Sequence, residues 1–345
     1  MKNKASMLTG FPVVRCKSTL KHGDKLMVRR VAVVMDPISE INPKKDTTLT
    51  LLLAAKKRNY EIHYLELGGL SIRDGEALGK TRKIEVSDST EHWYRFLSKS
   101  PYDLQPLASF DCLLMRKDPP FDMEFIYATY ILERAKEEGL LVVNDPKAIR
   151  DSNEKLFTTW FPELCPPTIV TRDLLDLRNY LDEQRDIIVK PLDGMGGQSI
   201  FRVKKNEPNA SVIFETLTSS GNCFCMAQRY LPEIKQGDKR VLVVDGNPIE
   251  YALARVPAAG ELRGNLAAGG TGRVQKLSPE DYEICSKIGP TLKAKGLLFV
   301  GLDIIGTKLT EINVTSPTCA REIEREKNID IGGKLFEAID SRLSD

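Results

Sequence analysis

Only three histidines, His22, His63 and His92, occur in the 345 residues, and none stands beside a cysteine. A zinc site therefore has little to draw on, and catalysis through an imidazole has few candidates. The seven cysteines (16, 112, 165, 223, 225, 285 and 319) form an odd, scattered set without a C-x-x-C. This predicts reduced thiols in a cytoplasmic protein rather than a disulfide framework. Cys223 and Cys225 are expected on one face of a strand, where packing accounts for them better than metal. Apolar runs such as 51–55 and 297–300 are far shorter than the roughly 20 residues of a membrane span, so no membrane partner is expected. Neither sign of charge dominates, with 50 Lys and Arg against 48 Asp and Glu. Internal repeats and low-complexity tracts are absent.

The charge is unevenly spread. Residues 1–30 carry eight Lys and Arg against Asp24, which leaves the remainder net acidic and a poor match for a nucleic acid. Residues 1–27 read as a basic extension, disordered ahead of a functional start near Met27; an organellar transit peptide is the other reading. At 41% hydrophobic and 28% charged, the rest has the composition of a globular protein, with length for two or three domains.

Residues 30–35 (RVAVVM) read as a buried strand ending at Asp36-Pro37. Asp46 is placed to cap a helix running to Asn59, and residues 61–67 read as a second strand. A hairpin turning at Asp74-Gly75, a strand at 111–115, a helix at 122–138 stopped by Gly139 and a strand at 140–143 complete a mostly parallel β-α-β domain over 28–150. Ligands of such sheets bind beyond the carboxyl ends of the strands, which here are Asp36-Pro37 and the segment 116–120. After Pro146 many short strands (187–190, 199–203, 223–230, 241–244, 249–255, 298–305, 309–314) alternate with helices at 173–184, 211–218, 279–295 and 332–343. The fold class is α/β (α+β). The boundaries are 28–150 for an N-terminal domain, 151–228 for a central lobe and 229–345 for a C-terminal lobe.

Three segments carry chemistry. Lys190 ends a strand and is followed by a turn containing Gly194, Gly196 and Gly197, where backbone N–H groups can approach phosphate oxygens beside an ammonium. It matches neither the Walker spacing nor the dinucleotide fingerprint, and the decoy Gly79-Lys80-Thr81 has Asp74 where a Walker loop needs its first glycine. Asp303, Glu311 and Asn313 fall on two successive strands, with Glu311 and Asn313 on one face; oxygen donors of this kind suit Mg²⁺. Arg240, Arg255 and Arg263 form a cationic set, the last within the Gly- and Ala-rich segment 260–272, expected as a mobile loop able to close over a site.

Taken in order, Lys155 within 150–156, Lys190-Pro191, the glycine turn, Gln228-Arg229-Tyr230-Leu231, Asp238-Lys239-Arg240, Arg255, Arg263-Gly264-Asn265 and 311–317 (EINVTSP) resemble the bacterial glutathione synthetase family of ATP-grasp ligases. The resemblance includes 35–37 and 115–121 and omits only the basic extension. It implies a two-lobed ATP-grasp fold behind the N-terminal domain, with ATP between the lobes. Lys155 and Lys190 would meet the phosphates near Gly194, Gly196 and Gly197. Gln228, Tyr230, Leu231 and Asp238 would hold the rest of the nucleotide. Glu311, Asn313 and Asp303 would bind Mg²⁺ (or Mn²⁺), Arg240, Arg255 and Lys190 would be catalytic, and Arg263, Ser316, Asp36 and Arg116 would meet substrate. The implied reaction joins γ-glutamylcysteine to glycine through an acyl phosphate, in a homotetramer. A ligase for another carboxylate and amine, and an ATP-binding regulator, remain as alternatives.

Overall fold

The computed structural model describes residues 28–261, 263–264 and 269–344; the basic extension lies outside the described residues. The first sheet holds β1 (Arg30–Val34), β2 (Glu61–Leu65), β3 (Leu70–Arg73), β4 (Glu76–Val86), β5 (Tyr94–Phe96), β6 (Asp103–Pro106), β7 (Cys112–Met115) and β8 (Leu141–Val143). Its order is β3-β4-β2-β1-β7-β8, with β1 parallel to β2 and β7, and β7 parallel to β8. Alternation along β1 separates two cores. Val31 and Val33 face α1 (Thr47–Lys57), whereas Ala32 and Val34 face α2 (Met123–Glu137). The caps are as expected: Asp46 accepts the Leu49 N–H, Asp122 accepts the Phe125 N–H, and Gly139 follows α2 at φ 110°. The Walker decoy lies inside β4, where a Cβ on Gly79 would come within 2.7 Å of Leu107, so packing explains that glycine.

After α3 (Pro146–Asp151) comes an antiparallel sheet of β9 (Thr168–Thr171), β10 (Asp186–Pro191), β11 (Phe201–Lys204) and β12 (Cys225–Arg229), in the order β11-β10-β12-β9. α4 (Leu174–Gln184) and α5 (Ala210–Leu217) cover it, and all members of its core lie between Ile169 and Ala227. The third sheet is β13 (Asp238–Val244), β14 (Asn247–Val256), β15 (Thr271–Lys276), β16 (Phe299–Ile305) and β17 (Lys308–Asn313), in the order β15-β14-β13-β16-β17. It packs on α6 (Pro279–Ala294), capped by Ser278 in a reciprocal capping box.

Two segments cross the boundaries expected from the sequence. Phe157, Phe161, Leu164 and Cys165 fill the core beneath β16, β17 and α6, so the chain around 155–165 packs with the third sheet rather than the second. After α7 (Ala320–Lys327), α8 (Ile331–Ser344) returns to the first sheet and places Leu335, Phe336 and Ile339 in the α1 core. A Cβ on Gly332 would come within 2.8 Å of Ala54, and this close approach lets α8 lie against α1. Cys223 lies before β12 and is exposed while Cys225 is buried, so the two do not share a strand face.

Candidate active site

The three sheets meet around a cavity of about 450 Å³. The second sheet supplies Lys190 at the end of β10, the glycine turn after it and Gln228 on β12. The third supplies Asp238, Arg240, Arg255, Asp303, Glu311 and Asn313. The glycine turn runs through positive φ at Gly196 (63°) and Gly197 (81°), which only glycine adopts without strain. Gly194 is needed for another reason, because its Cβ would stand 2.7 Å from the Pro191 ring.

At one end of the cavity Lys155 and Lys190 flank Glu311, their ammonium groups 3.9 and 3.6 Å from its Oε1. Lys155 also donates to the Gly194 carbonyl at 2.6 Å and to Glu154 at 2.5 Å, and Lys190 donates to the Thr310 carbonyl at 3.3 Å. Burial lowers the Lys190 pKa against the pull of Glu311; for Lys155 burial acts the same way but the nearby carboxylates outweigh it and raise the pKa. Elsewhere along the second sheet's side of the cavity Gln228 donates to Thr168, and Arg202 lies 3.5 Å from the centre of the Tyr230 ring while pairing with Asp186.

Beside Glu311 on the neighbouring strand, Asp303 carries two guanidinium groups. Arg240 Nε donates to Oδ1 at 2.5 Å and Nη2 to Oδ2 at 3.0 Å; Arg255 Nη2 stands 2.9 Å from Oδ2. Arg255 also bonds Asp238. Burial alone would raise the Asp303 pKa, yet Arg240 and Arg255 hold it below the ordinary carboxylate range. For Asp238 burial wins and its carboxyl is pushed up to about 6. Among the described residues Asp238 Oδ1 and Arg255 Nε are buried without hydrogen-bond partners, so the cluster presents unused polar atoms.

Glu311 and Asn313 share one face of β17, and Glu311 lies opposite Asp303 in the sheet register. Asn313 donates its amide to the Gly301 carbonyl at 3.3 Å, which leaves its Oδ1 for coordination. Among the described residues no three His, Cys, Asp or Glu side chains converge to hold a metal. The donor set nonetheless fits a hard cation that takes the rest of its shell from phosphate and water. Lys155, Lys190, Arg240 and Arg255 face Glu154, Asp238, Asp303 and Glu311, so the protein's own charges balance here and a polyphosphate would bring negative charge that a divalent ion offsets.

The cavity therefore gathers Lys155, Lys190, Gly194, Gly196, Gly197, Gln228, Tyr230, Leu231, Asp238, Arg240, Arg255, Arg263, Asp303, Glu311, Asn313 and Ser316. Asp36 and Arg116 do not line it. Asp36 pairs with Lys117 at 2.8 Å and accepts the Asp118 N–H, and Arg116 is buried behind the turn that follows β17. The first sheet reaches the cavity instead through Asn42, Lys45, Asp46, Asp118 and Pro119. Asp46 was visible in the sequence only as a helix cap, and the signal for Asp118 was its place beyond the end of a parallel strand. Arg263 lines the cavity and pairs with Glu261 at 2.6 Å; Leu262 and 265–268 of the glycine-rich segment lie outside the described residues.

Residues 154–328 match the family described as prokaryotic glutathione synthetase, ATP-grasp domain, and residues 29–150 match prokaryotic glutathione synthetase, N-terminal domain. The chain is 59% identical over 315 residues to a glutathione synthetase of Salmonella typhimurium, covering 91% of this chain and 99% of that one. It is 59% identical over 314 residues to a glutathione synthetase of Escherichia coli, covering 91% and 98%. Among solved structures it resembles the D-cycloserine synthetase DcsG (TM-score 0.64, 15% identity, 91% and 99% covered). It also resembles D-alanyl-alanine synthetase A of Vibrio cholerae (TM-score 0.58, 11% identity, 92% and 99% covered).

Proposed function

The chain belongs to the prokaryotic glutathione synthetase family, and on that premise we propose that it is an ATP-dependent ligase forming glutathione from γ-glutamylcysteine and glycine. The observation that carries this reading is one cavity in which a lysine pair on Glu311 adjoins a buried arginine pair on the neighbouring Asp303. A carboxylate is too electron-rich for an amine to attack, so it must first be activated. Its oxygen attacks the γ-phosphorus of ATP, the bond to ADP breaks, and an acyl phosphate forms. The glycine nitrogen then attacks the acyl carbon, loses its proton, and phosphate leaves.

Both steps build negative charge on oxygen. Lys155 and Lys190, fixed by carbonyls and Glu311, neutralise phosphate oxygens. Arg240 and Arg255, held by Asp303, are oriented before substrate arrives; losing one such preorganised donor costs on the order of 10²–10³ in rate. The Gln228, Tyr230 and Leu231 segment and Asp238 would hold the nucleoside, and Arg263 and Ser316 the substrates. Glu311 and Asn313, with Asp303 beside them, would hold Mg²⁺ or Mn²⁺, which supplies positive charge to the phosphate oxygens when bound. The domain reading follows: 28–150 as substrate domain, then two nucleotide-clasping lobes.

Six free thiols among the described residues suit a reducing compartment, and the cytoplasm is the proposed location. No helix among the described residues is long and apolar enough to cross a membrane. A homo-oligomer is supported by Met123, Tyr127 and Tyr130, each about half exposed along one stripe of α2.

The test is phosphate release from ATP with γ-glutamylcysteine and glycine added separately and together, with the product weighed by mass spectrometry. Glutathione formed only with both supports the reading. Nucleotide binding without turnover, or turnover with another carboxylate and amine alone, overturns it.

A further inference from the structure

We propose that Arg116 is a positioning residue, which fixes the turn at 314–318 from the first sheet and thereby aims Arg240 at the reacting carboxylate without touching it. The inference rests on the ligase reading. Arg116 follows β7, is 5% exposed, and does not line the cavity. Its Nε donates to Thr48 Oγ1 on α1 at 3.3 Å, and its Nη2 donates to the Pro317 carbonyl at 3.0 Å. Its own carbonyl accepts the Ser316 hydroxyl at 3.3 Å. Asn144, just past β8, donates to the Val314 carbonyl at 2.7 Å. Positions 314, 316 and 317 are thus all held by residues of the first sheet.

The other side of the turn faces the site. Thr315, Ser316 and Thr318 line the cavity, and Thr318 Oγ1 accepts a bond from Arg240 Nη1 at 3.4 Å. Pro317 packs beside Arg240 over Gly301, whose absent Cβ would stand 2.9 Å from Pro317 Cβ and 2.8 Å from Arg240 Cδ. The turn therefore forms one wall of the slot in which the Arg240 side chain lies. A planar guanidinium suits the grip, since one rigid fork holds a hydroxyl and a carbonyl from two elements.

Stability does not account for this residue. Arg116 is a buried cation; among the described residues none of the ion pairs includes it and its Nη1 has no hydrogen-bond partner. Such a group costs folding free energy when compared with an apolar side chain of similar size. Its contacts explain what that cost secures, a fixed turn between the substrate domain and the ligation centre.

The test uses the full-length protein and its Arg116→Met, Arg116→Lys, Thr48→Val and Thr318→Val variants. Turnover is measured beside the affinity for a non-hydrolysable ATP analogue. A displacement of about 1 Å at the reacting centre costs on the order of 10²-fold, so Arg116→Met is expected to lose about that in kcat while the analogue Kd stays within about twofold. Arg116→Lys, with one donor for the Pro317 carbonyl, retains more turnover than Arg116→Met. Thr48→Val, which is nearly isosteric and lies outside the cavity, shows the same split at smaller size. Because Arg116 and Thr318 act on one turn, the double variant is no slower than about the worse single one.

Parallel loss of turnover and analogue affinity in both Arg116→Met and Thr48→Val would overturn the proposal, as would multiplicative effects of Arg116→Met and Thr318→Val. A wild-type protein that makes no glutathione would instead sink the ligase reading itself.

Discussion

Replacing Asp303 with Asn removes the carboxylate that binds both buried arginines while keeping its shape. Arg240 contacts both carboxylate oxygens and Arg255 one of them, and all three side chains are at most 6% exposed. An amide offers one acceptor oxygen where two were used, and it turns an N–H group toward a guanidinium. Removing one partner of a buried ion pair costs about 3–5 kcal/mol, because the other charges remain in low dielectric. In a chain of this size each kcal/mol moves the unfolding midpoint by roughly 1–2 °C, so a fall of about 5 °C is expected. The assay is calorimetry without nucleotide and with a chelator, which removes any metal contribution. The pH dependence gives a second reading. The folded carboxyl titrates below its ordinary 3.8, so its stabilisation is present above that value and is lost as pH falls through the folded pKa; in Asp303→Asn this acid-side loss is smaller. A variant with the wild-type midpoint would refute the argument that Asp303 preorganises the arginine pair.

Three further outcomes follow from the same geometry. Gly301→Ala puts a methyl within 2.8 Å of Arg240 and 2.9 Å of Pro317; overpacking should cost about 1–3 kcal/mol and reduce turnover far more than nucleotide affinity, which parallel denaturation and titration would show. Glu311→Gln should raise the metal concentration for half-maximal turnover on the order of tenfold or more, and an unchanged metal titration would remove Glu311 from the site. Glu61, far from the cavity, is raised by burial but more strongly lowered by Lys83 and His63, to about 2 from 4.5; its stabilisation is present above pH 4.5 and fades as pH falls toward 2, a slope that Glu61→Gln should flatten in acid denaturation.

Elements with one strong local signal were legible in the sequence. β1 declared itself by an unbroken apolar run, α1 and α2 by Asp46 and Asp122 ahead of periodic stripes, and the β3–β4 hairpin by Asp74-Gly75. Unseen were β9, a four-residue strand directly after a proline pair, and α7, whose eight residues include six that are charged. Their stability comes from partners distant in sequence, which no local pattern carries. The same division runs through the site. Lys190, Glu311 and Asn313 could be picked out because a glycine turn or strand alternation surrounds them. Asn42, Lys45 and Glu322 sit in ordinary polar sequence and reach the cavity only because the first sheet and α7 are folded against it. Arg116 was expected among the substrate contacts; its burial behind the turn depends on Thr48 and Pro317, which lie 68 and 201 residues away in the chain.

The second sheet keeps a core of its own, whereas the first and third share one through α8 and the strand β13. Its polar ties to the third sheet and the segment packed with it, Lys190 to Glu311 and the Thr310 carbonyl and Lys155 to the Gly194 carbonyl, are few and cluster at the cavity. It can therefore open as a unit at a free energy below that of global unfolding. On gentle heating, activity should vanish before the bulk of the secondary structure does, and a nucleotide held as proposed, between the two pieces, should delay the first event more than the second.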